Sequence, residues 1–223
     1  MIHASTQMLA EIREAPAVVA RQLAHAEIYR EEGERLRREA PRFVATCARG
    51  SSDQAVTFFK YIAEQRLGLP IASVGPSIAS VYGAELKFEG GILLTVSQSG
   101  GSPDLVSLQE RAAKGGARTL ALLNVTDSAV GNAAGSVLPM MAGQEKAVAA
   151  TKSFVASLVA LATVVAHWKR RQDPSRRAVS AAGKSGSRRW NAIGRRAHCQ
   201  WRRPIPCSRS GAGRGLGWQA KLP

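Results

Sequence analysis

Five short apolar runs, separated by segments with helical periodicity, constrain the fold of this chain more than any other feature. Short runs that are mostly apolar are typical of strands buried on both faces, and helical connections of ten or more residues let such strands lie parallel. We therefore predict an α/β fold, a doubly wound five-stranded parallel sheet flanked by helices in a flavodoxin-like three-layer sandwich. The runs cover residues 43–48, 71–74, 91–96, 119–125 and 136–141.

Helical periodicity marks the remaining segments of the first 168 residues. Residues 6–40 alternate apolar and charged positions, which indicates two amphipathic helices, and Pro16 suits the first turn of the second. Ser128 is a predicted helix N-cap. We expect a helical lead-in over residues 1–40 and an α/β domain over residues 41–172. The later predicted helices cover residues 53–67, a short stretch ending at Tyr82, 103–113 and 148–168.

Basic residues concentrate at one end of the chain. The 223 residues carry a formal net charge of +15, which is typical of proteins that bind nucleic acid or anionic surfaces. Residues 169–223, however, hold 15 of the Lys and Arg residues and a single acid, so the rest of the chain is close to neutral. The apolar residues of this segment follow no helical or strand period. We therefore expect a disordered basic tail over residues 173–223 and do not expect nucleic acid as the partner.

Composition excludes several classes of protein. No apolar run reaches the length that spans a bilayer, and the N-terminus lacks the pattern of a signal peptide. The three cysteines show no metal-ligand spacing and are an odd number, which argues against a disulfide framework. We therefore expect a cytoplasmic protein with no membrane partner, no metal and no other cofactor.

Two loops rich in Gly and Ser follow alternate strands of the predicted sheet. Residues 48–53 read Ala-Arg-Gly-Ser-Ser-Asp, and residues 97–102 read Ser-Gln-Ser-Gly-Gly-Ser. Glycine lets backbone N–H groups approach a ligand, and each loop opens a helix whose positive end favours an anion. Together the loops predict a phosphate cradle without a lysine. The alternative is that Ser and Gly only form turns and caps; the two interpretations weigh equally for one loop, and a pair of loops favours the cradle.

A third candidate element, residues 145–154, lies at the start of the last helix. Thr151 and Lys152 either contact a ligand or simply begin the helix, and spacing alone favours the second interpretation. Glu145 and Lys152 are the titratable groups nearest to a ligand loop, but each would have to act alone in acid–base chemistry.

The three elements together resemble one family. Residues 49–52, 97–102 and 148–152 match, in order, three motifs of the sugar isomerase (SIS) domain. The similarity is to the first half of the tandem-SIS isomerase module of glutamine–fructose-6-phosphate aminotransferase and to the SIS-type glucosamine-6-phosphate deaminases. It extends over about residues 6–170.

This resemblance implies a sugar 6-phosphate ligand, either fructose 6-phosphate or glucosamine 6-phosphate, and a homodimer. The implied phosphate contacts are Ser97, Gln98, Ser99 and Ser102. The implied sugar contacts are Gly50, Ser51, Ser52, the backbone near Val148, Ala150 and Lys152.

Three positions depart from the family pattern. Arg49 stands where Cys is usual, Gly101 where the aminotransferase has Glu, and Ala150 where Ser is usual. These differences favour the deaminase branch or an uncharacterised branch similar to the aminotransferase.

The family's proposed catalytic Lys, Glu and His lie in the second SIS half, which we expect this chain to lack. We therefore assign no catalytic residue and expect a truncated enzyme of the aminotransferase, isomerase or deaminase type, whose activity stays open. The codons allowed near Trp218 support the hypothesis that the tail is a frame-shifted version of the lost half. The alternative function is a non-catalytic module that senses a sugar phosphate while its basic tail contacts nucleic acid.

Overall fold

Helices and strands alternate along the chain in the computed structural model, which describes residues 6–169. The predictions for residues 173–223 lie outside this range. In chain order the elements are α1 (Gln7–Ala24), α2 (Ala26–Glu39), β1 (Phe43–Ala48), α3 (Ser51–Leu67), β2 (Ile71–Ser73), α4 (Ser77–Ser80), β3 (Gly91–Ser97), α5 (Pro103–Lys114), β4 (Arg118–Leu123), α6 (Ala129–Ala133), β5 (Ser136–Pro139) and α7 (Lys152–Trp168).

The strands form one parallel sheet in the order β2-β1-β3-β4-β5. The first strand lies inside the sheet, so the chain winds outward in both directions from it. One face of the sheet packs against α1, α2, α3 and α7, and the opposite face packs against α4, α5 and α6. The predicted fold class, a doubly wound three-layer α/β sheet, is confirmed.

Strands β4 and β5 end earlier than their apolar runs suggest. Residues 124 and 125 lie outside β4, although the Val125 N–H still donates to the Gln98 carbonyl in the neighbouring loop. Met141 does not extend β5, because its φ of 57° lies in the left-handed region, which a strand cannot adopt.

The boundary between the two lead-in helices was predicted wrongly. Pro16 lies inside α1 and not at the start of α2, and the break comes at His25. Proline removes one backbone donor from a helix but does not always end it. The helix continues to Ala24, and its last turn is anchored by the buried Gln22 Nε2, which donates to the carbonyls of Met140 and Ala156.

The last helix also begins later than predicted, at Lys152 and not at Val148. Its far end carries Trp168, which packs with Val44 and Ile92 near the amino ends of β1 and β3. The helix therefore runs antiparallel to the strands and begins at their carboxyl edge. This is the edge where α3 and α5 also begin.

Candidate functional site

The first two loops leave the sheet side by side. In the register of β1 and β3, Ala48 is paired with Val96, so residues 49–52 and 97–102 emerge at the same edge. Arg49 Nη1 lies 2.6 Å from Asp104 Oδ2, which joins the first loop to the start of α5. The structure thus brings together two of the three elements that the sequence singled out.

The 97–102 loop is shaped by hydrogen bonds of its own. Ser97 Oγ accepts from the Gly100 N–H at 3.1 Å, and Ser99 Oγ accepts from the Gly101 N–H at 3.4 Å. The Gly100 carbonyl accepts from the Val130 N–H of α6 at 2.9 Å. Two of the four predicted phosphate contacts, Ser97 and Ser99, therefore have a structural role in the free protein.

The other polar side chains predicted to contact the ligand in these two loops make no hydrogen bonds. Among the described residues, the side chains of Ser51, Ser52, Gln98 and Ser102 have no hydrogen-bond partner in the structure. Gly50 and Ser102 occupy the N-cap positions of α3 and α5, but neither supplies a side-chain cap. In α5 the Leu105 N–H donates to the Asp104 carboxylate, so the Ser102 hydroxyl is not needed as its cap. Within residues 6–169, the N–H groups of Ser51, Ser52 and Asp104 have no acceptor. This weighs against the interpretation that these residues serve only as caps.

The third element is anchored to the neighbouring strand end. The Asn124 side chain, just after β4, donates to the Gly143 carbonyl at 2.7 Å and accepts from the Ala142 N–H at 2.9 Å. Beyond this anchor, Val148 is 93% exposed, and its peptide bond to Ala149 is cis. Within residues 6–169, the backbone N–H groups of residues 148–150 have no acceptor. They are donors available to a ligand.

Glu145 turns out to be a helix cap. It accepts hydrogen bonds from the backbone N–H groups of Thr151 and Ser153 and from both of their hydroxyls. Partial burial would raise the pKa of Glu145, but these hydrogen bonds outweigh it and hold the pKa below its ordinary value of 4.5. An ionised carboxylate also suits the positive end of α7. Glu145 is therefore committed to starting the helix.

Lys152 is buried and already paired. Its side chain is 4% exposed, and Nζ lies 2.6 Å from Glu14 Oε2 on α1. Ala150 is half-buried beside it. No hydrogen bond within residues 6–169 joins residues 145–152 to the first two loops, although all three segments lie at the same edge.

One residue that shapes this edge, Glu11 of α1, is not among the candidates predicted from the sequence. Its carboxylate accepts from the backbone N–H groups of Lys146 and Ala147, at 2.8 and 3.0 Å, and from the Gln7 side chain. These bonds, led by the one from Lys146, lower the pKa of Glu11. The only signal in the sequence is weak, an acid on a mostly buried line of an amphipathic helix, because its two backbone partners lie 135 and 136 residues away.

The groups at this edge are suited to binding a polar ligand through hydrogen bonds. Burial raises the pKa of the Cys47 thiol, near the end of β1, to about 12, so it is not a nucleophile at neutral pH. Residues 6–169 contain no cluster of His, Cys, Asp or Glu that could hold a metal ion. The same range contains no helix long and apolar enough to cross a membrane. What the edge offers is hydroxyls and backbone donors.

Residues 40–166 match the SIS domain family, and this is more than half of the chain. The chain belongs to the SIS domain family. The match includes all three candidate elements but begins after the end of α2, so α1 and α2, with Glu11 and Glu14, lie outside it.

Known relatives of this SIS domain agree with the match. The chain is 35% identical over 150 residues to the glutamine–fructose-6-phosphate aminotransferase (isomerizing) of Symbiobacterium thermophilum, with 65% of this chain and 24% of that protein covered. The crystal structure of a Silicibacter pomeroyi DSS-3 protein that carries the name phosphosugar isomerase superposes with a TM-score of 0.73 at 44% identity, covering 79% of this chain and 54% of that one.

A third comparison shows the fold alone. The C-terminal domain of glucosamine-fructose-6-phosphate aminotransferase from Francisella tularensis has a TM-score of 0.66 at 23% identity, covering 74% of this chain and 48% of that one. This SIS chain spans about a quarter of the length of the Symbiobacterium relative and about half of the two crystallised chains.

Proposed function

We propose that this SIS domain binds a sugar 6-phosphate, either fructose 6-phosphate or glucosamine 6-phosphate, at the carboxyl edge of its sheet. The observation that carries the proposal is the pair of adjacent loops at the starts of α3 and α5. Within residues 6–169, the side chains of Ser51, Ser52, Gln98 and Ser102 in these loops have no hydrogen-bond partner. Such donors, gathered at helix N-termini, favour a phosphate. The names of the relatives, which refer to phosphosugars and fructose 6-phosphate, support this ligand class.

The proposed contacts divide the ligand into two ends. Ser97, Gln98, Ser99 and Ser102 hold the phosphate, with the Ser102 hydroxyl and the Gln98 amide free to turn toward it. Gly50, Ser51 and Ser52 face the sugar from the first loop. Val148 and Ala150 contribute backbone N–H groups from the third element. Lys152 acts through its place at the start of α7, because its ammonium is paired with Glu14.

Acid–base chemistry at the sugar carbons needs a titratable group within hydrogen-bond reach of them. The two candidates from sequence are both engaged, Glu145 as the cap of α7 and Lys152 in its ion pair with Glu14. This favours binding without turnover by residues 6–169, so the second candidate function is a sugar-phosphate-sensing module. Isomerase or deaminase activity requires catalytic groups from outside residues 6–169, which the resemblance implies lie in a second SIS half. We also propose a cytoplasmic homodimer.

The test is a thermal unfolding series with added ligand. A ligand that binds only the folded state stabilises it by about 2.7 kcal/mol at a hundred times its Kd. We expect glucosamine 6-phosphate and fructose 6-phosphate to raise Tm and fructose, which lacks the phosphate, to leave it unchanged.

Substituted proteins locate the effect. Ser102→Ala removes an unpartnered hydroxyl and should abolish most of the ligand-induced shift without changing the Tm of the free protein. Ser77→Ala, an exposed serine at the start of α4, is the matched control. An equal shift in both variants would contradict the site. Ammonia release from glucosamine 6-phosphate would add deamination to binding.

A further inference from the structure

The buried carboxylate of Glu11 binds two consecutive peptide groups of the third element, residues 145–154. One oxygen accepts from the Lys146 N–H and the other from the Ala147 N–H, while Gln7 donates from the preceding turn of α1. Glu11 is 1% exposed. A buried carboxylate is costly unless its oxygens are hydrogen-bonded, and here both are. The geometry is thus a two-point clamp on the backbone.

This clamp is the support closest to the exposed part of the loop. On its amino side the nearest anchor is Asn124, which holds residues 142 and 143. On its carboxyl side Glu145 fixes residues 151 and 153 at the start of α7. Between these anchors, within the described chain, Glu11 supplies the acceptors for the peptide groups just before Val148. The unpartnered N–H groups of residues 148–150 follow directly.

A second acid on the same face of α1 also contacts the third element. Glu14 lies one turn beyond Glu11, on the same side of the helix, and it pairs with the buried ammonium of Lys152. Helix α1 therefore contacts the third element both before and after its free N–H groups. None of these α1 residues lies in the range that matches the SIS domain family.

We propose that Glu11 is a positioning residue of the ligand site, which holds residues 146 and 147 so that the N–H groups of residues 148–150 face the sugar end of the ligand. The inference rests on the proposed function and deepens it. It assigns the lead-in helix a part in recognition. Glu11 itself does not touch the ligand, and the phosphate end, at residues 97–102, does not depend on it.

Because Glu11 supports only the sugar end of the site, its substitution should change the affinity for fructose 6-phosphate relative to the affinity for inorganic phosphate. A purely structural role of Glu11 would not change this ratio. Isothermal titration should compare fructose 6-phosphate with inorganic phosphate, which can occupy only the phosphate end. In Glu11→Gln, one clamped N–H loses its acceptor and faces an amide NH₂. We expect the affinity for fructose 6-phosphate to fall about tenfold, the effect of losing one hydrogen bond to a charged group. The affinity for inorganic phosphate should stay the same.

The matched control is Glu32→Gln on α2. Glu32 is also a buried lead-in carboxylate, but it pairs with Arg118 at the opposite, amino edge of the sheet. It should lower Tm without changing either affinity. If Glu11→Gln does not fold, Gln7→Ala is the alternative variant, because it removes the exposed side chain that donates to Glu11. It should weaken fructose 6-phosphate binding about twofold.

The outcomes separate this inference from the function on which it rests. Selective loss of fructose 6-phosphate affinity in the Glu11 variant supports the clamp. Unchanged fructose 6-phosphate affinity, or an equal loss for both ligands, overturns it and leaves the proposed function standing. Failure of the wild-type chain to bind fructose 6-phosphate overturns the proposed function and the clamp together.

Discussion

At the scale of single residues, Gly100 shows how closely the loop of residues 97–102 is packed. Its φ is +63°, in the region that favours glycine, and a Cβ built on it would stand 2.1 Å from Ser128 Oγ. Ser128 is in turn the N-cap of α6, where it accepts from the Gly131 N–H. A side chain at position 100 would therefore disturb two elements at once.

We predict that Gly100→Ala lowers the free energy of unfolding by about 2 kcal/mol or more, because it adds backbone strain and a close contact. Urea denaturation measures this change. The adjacent Gly101→Ala is the control, since its φ is not positive and the nearest atom to a new Cβ, Ser99 Oγ, lies at 3.9 Å. Equal losses in the two variants would show that the loop is looser than described.

Residue-level prediction from sequence worked where the signal is local. The loops at residues 49–52 and 97–102 could be found because Gly and Ser follow apolar runs within a few positions, and parallel strands bring such ends together. Glu11 could not be found in this way. Its partners are peptide groups, which carry no side-chain identity, so only the folded arrangement of α1 against the third element reveals it.

At the scale of elements, α1 contains a proline in its interior. The exposed Pro16 cannot donate to the carbonyl one turn earlier, which weakens the helix. Proline is usually found in the first turn of a helix. Here the helix continues past it, and hydrogen bonds from Gln22 to the carbonyls of Met140 and Ala156 stabilise the part that follows.

We predict that Pro16→Ala raises the free energy of unfolding by about 1–2 kcal/mol. The restored hydrogen bond and the better helix propensity outweigh the greater freedom of the unfolded chain. Chemical denaturation is the measurement. Pro70→Ala, at an exposed position in the loop before β2, should give no gain. A loss of stability in Pro16→Ala would mean that the ring packs against a neighbour.

The start of α7 is set by a side chain and not by propensity. The apolar pattern predicts a helix from Val148, but Glu145 accepts the N–H groups of Thr151 and Ser153 and so fixes the first turn at Lys152. Because the pKa of Glu145 is lowered in the folded state, the stabilisation is present above the unfolded pKa and is lost as pH falls through the folded one.

We therefore predict that wild-type stability declines as the pH falls below about 4.5, the ordinary pKa of this carboxyl group. Glu145→Gln should be less stable at pH 7 and should show a smaller decline over the same window. Thermal unfolding at a series of pH values gives both numbers. The exposed Glu110→Gln is the control and should follow the wild type. Parallel curves for wild type and Glu145→Gln would contradict the capping role.

At the scale of the whole molecule, the fold class followed from the sequence because five buried strands with helical crossovers leave few arrangements. The charge distribution indicated which part of the chain forms the α/β domain, since the near-neutral residues before position 169 form the sheet and the loops. What sequence could not supply is the contact of the lead-in helices with the carboxyl edge. That contact joins α1 to a segment near the other end of the described chain, and no periodicity reports it.

The central claim, that the three segments at the carboxyl edge form one sugar 6-phosphate site, can be tested by hydrogen–deuterium exchange with and without glucosamine 6-phosphate. We predict slower exchange at residues 50–54, 98–104 and 146–151 on ligand addition. Exchange should be unchanged at the cleft on the amino side of the sheet that is lined by residues 84–87, Arg111, Lys114 and Gly115. Slowing confined to that cleft, or none at the three segments under saturating ligand, would contradict it.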